Sequence, residues 1–114
     1  MEWGELMDDD MLDQPATREI DMLEVLKALA DPVRLLIVQK LADTDYLSCS
    51  VVNDDLEVHK STLSHHYKVL RESGVTSTLK NGRGRDIRLR REDLDVRFPG
   101  LLDGVLAGTK TPAQ

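Results

Sequence analysis

Residues 59 to 91, HKSTLSHHYKVLRESGVTSTLKNGRGRDIRLRR, constrain the fold of this chain more than any other part of it. Placed at 100° per residue, Leu63, Tyr67 and Leu70 fall on one stripe of a helix. Ser61, His65, Lys68 and Glu72 lie opposite that stripe, with Thr62 and Ser64 on its flanks. Gly74 stands where a helix C-cap glycine belongs. Beyond it, Thr, Val and Ile enrich two arms around NGRG, a sequence that accepts the positive φ of a hairpin turn. Ile87 and Leu89 alternate with Arg88 and Arg90, which sends one face to a core and the other to solvent. A helix with an apolar back and a small polar front thus runs straight into an Arg-rich β-hairpin.

The flanking segments supply what this pair packs against. From Thr17 to Ala30, Ile20, Leu23, Val25, Leu26 and Leu29 recur at helical spacing, with Thr17 as the cap. Asp31 reads as the N-cap of a second helix and Pro32 as its first residue, where a missing N–H does no harm. Val33, Leu35, Leu36, Ile37, Val38 and Leu41 cover most of that helix, so it is expected at the buried centre. Ser48 or Ser50 caps a short helix to about Leu56, after a brief extended piece at Tyr46 and Leu47. Past the hairpin, a short helical turn leads to a last helix from Pro99, with Leu101, Leu102, Val105 and Leu106 on its apolar side. The expected fold is mainly α with a β-hairpin wing: a winged helix-turn-helix of about five helices.

With 114 residues, 40% of them hydrophobic, the chain is expected to form one domain with a modest core. Residues 1–16, with Asp8, Asp9 and Asp10 in a row, are expected to be a disordered acidic arm. Residues 17–108 then form the domain, and 109–114 a disordered tail. No apolar run nears the roughly 20 residues of a membrane span. The acidic start lacks a signal-peptide pattern, and a single cysteine makes no internal disulfide. These features point to a cytoplasmic protein without a membrane partner.

A formal net charge of −6 would discourage a polyanionic partner if the charge were evenly spread. It is segregated instead. Residues 59 to 91 hold nine basic and two acidic residues, a net of +7, which leaves −13 on the rest. Charges beyond a Debye length of about 8 Å are largely screened at physiological salt, so the local patch decides phosphate affinity.

Two segments resemble the signatures of one family. LKALADPVRLLIVQKL resembles the second-helix signature of ArsR/SmtB-type bacterial transcriptional regulators, and STLSHHYKVLRESGV resembles their recognition-helix signature. The resemblance covers about residues 18 to 107 and includes the hairpin and a final helix in the family's order. It implies a homodimeric winged helix-turn-helix repressor, paired through its first and last helices and released from a palindromic operator by a metal or another signal. Leu23, Leu26, Leu102 and Val105 are the expected dimer contacts.

The chain departs from that pattern at three points. Metal sensors of the family often carry Cys-x-Cys near the helix-turn-helix, whereas LSCSVVNDDL holds Cys49 alone. Another family metal site uses His and carboxylates on the last helix, and FPGLLDGVLAGTKTPAQ has no His. His59 replaces the usual Ser cap of the recognition helix. No metal site and no cofactor are therefore expected, and the inducing signal (metal, redox, a small effector or none) stays open.

Double-stranded DNA is the expected partner, met by the 60–73 helix and the 80–86 wing. Lys60 and the helix N-terminus suit a phosphate. Short Ser61, Thr62 and Ser64 allow close approach, and Ser64 and His65 sit far enough along the helix for base edges. Lys68 extends the same face, while Arg83 and Arg85 at the hairpin tip suit backbone or minor-groove contacts. His66 turns toward the apolar side, where a packed, hydrogen-bonded role is expected. No catalytic residue is expected: His65 and His66 point about 100° apart and cannot converge on one atom. The competing reading is a winged-helix protein-interaction module that has lost DNA binding, but such an interface has little use for nine basic residues.

Overall fold

The computed structural model describes residues 11–109. A single 3₁₀ turn, Thr17–Glu19, precedes helix α1, Met22–Leu29, and helix α2, Pro32–Ala42. Strand β1 is Leu47–Ser48, helix α3 Cys49–Asp55 and helix α4 Lys60–Ser73. Strands β2, Thr76–Asn81, and β3, Gly84–Leu89, lead to helices α5, Arg91–Arg97, and α6, Leu101–Thr109. Among the described residues there are thus six α-helices, one more than about five, because the short helical turn after the hairpin is a full helix. The last helix begins at Leu101 rather than Pro99, since Gly100 takes a left-handed φ of +85° ahead of it.

The first helix is shorter than its spacing suggests, and Thr17 does not cap it. Ile20 is extended (φ −68°, ψ 123°) and separates the 3₁₀ turn from α1. Two causes combine at this residue. Its carbonyl accepts hydrogen bonds from Arg97 Nε and Nη2 at 3.2 and 2.6 Å, and its side chain, 1% exposed, packs against Gly74. Asp21 then caps α1 by accepting from the Glu24 N–H at 3.3 Å. Asp31 caps α2 as expected, accepting from Val33 and Arg34 at 2.8 and 3.0 Å. Of the two candidate serines, Ser48 caps α3, accepting from the Ser50 N–H at 3.1 Å.

Ile37, Val38 and Leu41 of α2 form the centre of the core with Leu63 and Leu70 of α4, Val25 of α1 and Ile87 of β3. Leu36 lies on the far side of α2 and is 46% exposed, so that helix is buried on one flank only. The sheet has three strands in the order β1-β3-β2, all antiparallel. The hairpin pairs Thr76 with Leu89 through to Asn81 with Gly84, leaving Gly82 and Arg83 as a two-residue turn. Gly82 supplies the positive φ, +61°.

Residues 11–16, expected in the disordered arm, are tied to the domain. Met11 forms a bridge to Leu79, the Leu12 N–H donates to Thr78 O at 2.9 Å, and Arg90 Nη1 donates to Pro15 O at 2.7 Å. The boundary at residue 16 is therefore too late; residues 1–10 lie outside the described part. Thr109, expected in the tail, ends α6, and its carbonyl accepts from Gln39 Nε2 at 3.0 Å. The remaining tail, 110–114, also lies outside the described residues.

Candidate nucleic-acid interface

The first turn of α4 has little intrinsic reason to be helical. Its N-cap, His59, makes no side-chain hydrogen bond to the backbone of the turn and meets only the Ser61 hydroxyl, at 3.4 Å, and Ser61, Thr62, Ser64 and His65 follow. Such residues each cost up to about 0.7 kcal/mol relative to Ala in a helix interior. Leu63 and Leu70, 1% and 0% exposed, each contribute roughly 1.5–3 kcal/mol through burial. Packing outweighs propensity, which leaves the outer face free to carry small polar side chains.

Two polar anchors fix the seat of this helix. Tyr67 Oη donates to Asn53 Oδ1 at 2.6 Å and ties α4 to α3; burial pushes its phenol well above the ordinary range. His66, 8% exposed, has its Nδ1 3.0 Å from Arg34 Nη1, the packed and hydrogen-bonded role expected of it. Arg34 also donates to Ala28 O and to Lys27 O, the terminal carbonyls of α1, so one guanidinium joins α1, α2 and α4. Burial holds the His66 imidazole below its ordinary value; Asp31 opposes this, and the charges of Arg34 and His65 add to it. The neutral ring accepts at Nδ1 from Arg34. Nothing in the helical periodicity around His66 identifies Arg34 as its partner.

Lys60, Ser61, Thr62, Ser64, His65 and Lys68 are all exposed on α4, as are Arg83 and Arg85 on the hairpin. The fold divides them into two groups. Lys60, Ser64, Arg83 and Arg85 line one open groove of about 470 Å³ between α3, α4 and the wing. Ser61, Thr62, His65 and Lys68 form the outer ridge of α4 beside it. Arg71 completes the groove. It lies eleven residues after Lys60 and therefore on the same flank of α4, a position legible from spacing but not counted among the expected contacts.

The basic window is partly spent on the fold. Arg90, 6% exposed, bonds to Asp93 at 2.9 Å as well as to Pro15 O. Arg91 bridges Ala42 O and Asp103, at 3.1 and 3.4 Å. Arg71 Nε donates to Asp13 O at 3.1 Å. Lys60, Lys68, Lys80, Arg83 and Arg85 are exposed and make no ion pair among the described residues. These five cations form the part of the patch presented outward.

Cys49 lies half-buried beneath the wing, and its thiol is pushed up to about 11 by burial; Arg85 lowers it and Asp86 raises it further. At neutral pH it is a protonated thiol and a poor nucleophile. Among the described residues, no group of three or more His, Cys, Asp or Glu is placed to hold a metal ion. No helix among them is long and apolar enough to cross a membrane.

Of the expected dimer contacts, Leu23 and Leu26 are 63% and 42% exposed on α1, and Val105 is half-buried on α6. Leu102 is not available to a partner. It is 2% exposed within the chain's own core, because the turn that begins α6 at Leu101 directs it inward.

A family model described as a helix-turn-helix domain matches residues 29–77, from the end of α1 into β2. The chain is 37% identical over 81 residues to the uncharacterized HTH-type transcriptional regulator YceK of Bacillus subtilis, covering 70% of this chain and 81% of that protein. It is 33% identical over 75 residues to the arsenical resistance operon repressor of Staphylococcus xylosus, covering 66% and 71%. This chain belongs to the ArsR/SmtB-type family. Reduced HlyU from Vibrio cholerae superposes with a TM-score of 0.63 at 27% identity, over 78% of this chain and 88% of that one. The ArsR-type assignment makes this a winged helix-turn-helix transcriptional regulator, with α3 and α4 as the helix-turn-helix and the β2–β3 hairpin as the wing.

Proposed function

We propose that this ArsR-type regulator is a homodimeric, cytoplasmic repressor that places α4 in the major groove of a palindromic operator. The observation that supports this best is the convergence of the polar flank of α4 with Arg83 and Arg85 of the wing on one groove. Lys60 and the free N–H groups opening α4 meet a backbone phosphate. Ser61, Thr62, Ser64 and His65 face base edges, Lys68 follows the strand, and the wing arginines hold the flanking backbone. The relatives named as transcriptional regulators support a role in recognition.

The homodimer is proposed to form through the exposed Leu23 and Leu26 of α1 with Val105 of α6. Two α4 helices related by a two-fold axis would then read half-sites roughly 10 bp apart, or a multiple of that. Residues 11–109 form the whole binding and dimerising unit in this reading. Selection of bound duplexes from a random pool tests it in one step. An imperfect palindrome should emerge, with affinity falling steeply as salt rises. No enrichment at low salt, together with a stable protein partner, would favour the interaction-module reading instead.

A further inference from the structure

Two cations oppose each other in the wing. Lys80 of β2 pairs with Arg85 of β3, and both are exposed without an ion pair among the described residues. Like charges directly opposite across an antiparallel pair are destabilising. On its other side β2 is met by the segment that leads into the domain. Met11 bridges Leu79 in the antiparallel sense, and the Leu12 N–H donates to Thr78 O at 2.9 Å. This register fixes the direction from which the chain arrives. Each residue before Met11 corresponds to one residue further along β2, toward the turn at Gly82 and Arg83. Continued backward, it sets Asp10 opposite Lys80, Asp9 opposite Asn81 and Asp8 opposite Gly82. Residues 1–10 carry Glu2, Glu5 and these three aspartates, with no Lys or Arg.

We propose that the basic wing is a docking surface for this chain's own acidic segment, Asp8 to Asp10, and that the docked segment competes with DNA. Residues directly opposite in a sheet share a face, with Cβ atoms about 4.5–5.5 Å apart. Asp10, Lys80 and Arg85 then form one row, a carboxylate beside the ammonium and the guanidinium beyond it. At about 3.3 Å per residue, the three aspartates span about 10 Å, the same as the three steps of β2 from Leu79 to Gly82. Arg85 lines the groove beside α4, so the row lies on the face of the wing turned toward the proposed DNA site. Arg71 of α4 holds the leading segment in place by donating to Asp13 O at 3.1 Å. Carboxylates on the wing must leave before phosphate can bind, which lowers DNA affinity and flattens its dependence on salt. The competition rests on the DNA-binding reading; the docking does not.

The test begins without DNA. An equal mixture of unlabelled and nitrogen-15-labelled full chains is treated at low salt with a water-soluble carbodiimide, which couples carboxylates to amines in contact. Peptide mapping by mass spectrometry should find Lys80 joined to Asp10 or Asp9 of the same chain, and high salt should suppress the link. No such link at low salt overturns the docking. Links that join only labelled to unlabelled peptides assign the surface to a second copy's segment and overturn it as well. DNA is then added as a mixed-sequence duplex. Asp9→Asn with Asp10→Asn should bind it at least fivefold more tightly at low salt, with a steeper salt slope. Asp43→Asn with Asp45→Asn is the control for bulk charge. Both residues are exposed, and the pairing of Leu47 with Ile87 puts them toward the end of β3 away from the turn. Equal gains in the two variants, or no gain in the first, overturn the competition. If neither wild type nor variant binds DNA, the repressor reading fails while the coupling still decides the docking.

Discussion

His66 and Arg34 show how one pair of side chains can set the pH range of a helix's seat. The folded state favours neutral His66, since burial and the adjacent guanidinium both disfavour the imidazolium. A depressed folded value means that the unfolded chain binds the proton first as pH falls. Stability is therefore fully present above the ordinary value of 6.5 and declines below it, until the folded group also titrates. Asp31 acts in a separate window. Partial burial raises its pKa, but the N–H groups of Arg34 and Val33 and the Arg34 charge bring it below 3.8, so its contribution disappears only in stronger acid. Melting curves between pH 7.5 and 5 should show wild type losing stability and His66→Gln losing much less of it. An equal slope in both proteins would remove His66 as the cause. The position of His66 on the inner side of α4 is legible from helical periodicity, but its partner is not, because Arg34 lies 32 residues away and is brought close only by packing.

Gly74 carries more than the end of α4. Its φ of +91° is a left-handed cap, and a Cβ there would lie 2.7 Å from Ile20 Cγ1. Gly74→Ala combines backbone strain with a clash against a buried side chain, and should cost about 2–3 kcal/mol, measured by urea unfolding. Gly82→Ala takes the same kind of backbone penalty at φ +61° without any neighbour within 4 Å, so it should cost less. The cap role of Gly74 is written in the sequence, whereas the wedge that Ile20 drives beneath it is not. That wedge also explains why α1 starts at Met22: helical spacing extends back to Thr17, but the backbone turns extended to deliver Ile20 to the core. The wing follows its sequence closely, from alternating apolar residues to a glycine in the turn. Its arginines make a prediction at this scale. Arg83→Ala with Arg85→Ala should reduce the slope of log affinity against log salt by roughly two for each wing engaged. An unchanged slope would place the wing away from phosphate.

For the molecule as a whole, segregation of charge matters more than its sum. A net −6 coexists with five outward cations around α4 and the wing, while buried Arg90 holds Pro15 and Arg91 ties the end of α2 to α6. Counting charges locates the basic window, but only the fold tells outward-facing arginines from clamping ones. Likewise the apolar side of the last helix is visible in sequence, while the burial of Leu102 is not, because identical leucines serve a core or a partner surface. If α1 pairs two copies, Leu23→Glu with Leu26→Glu should yield a folded monomer by sedimentation, with DNA affinity reduced at least a hundredfold; a dimer surviving both changes would move the interface elsewhere. A different kind of association is at stake in the short strap before α1. With strand order β1-β3-β2, β2 is an edge, and exposed edges recruit strands from other chains. Met11 and Leu12 occupy the middle of that edge, through the bridge to Leu79 and the bond to Thr78 O. The strap therefore acts as a guard against sheet-to-sheet polymerisation in a protein proposed to bring two copies together by another face. Leu12→Pro, which deletes the donated N–H, should leave helical circular dichroism intact while light scattering climbs with concentration.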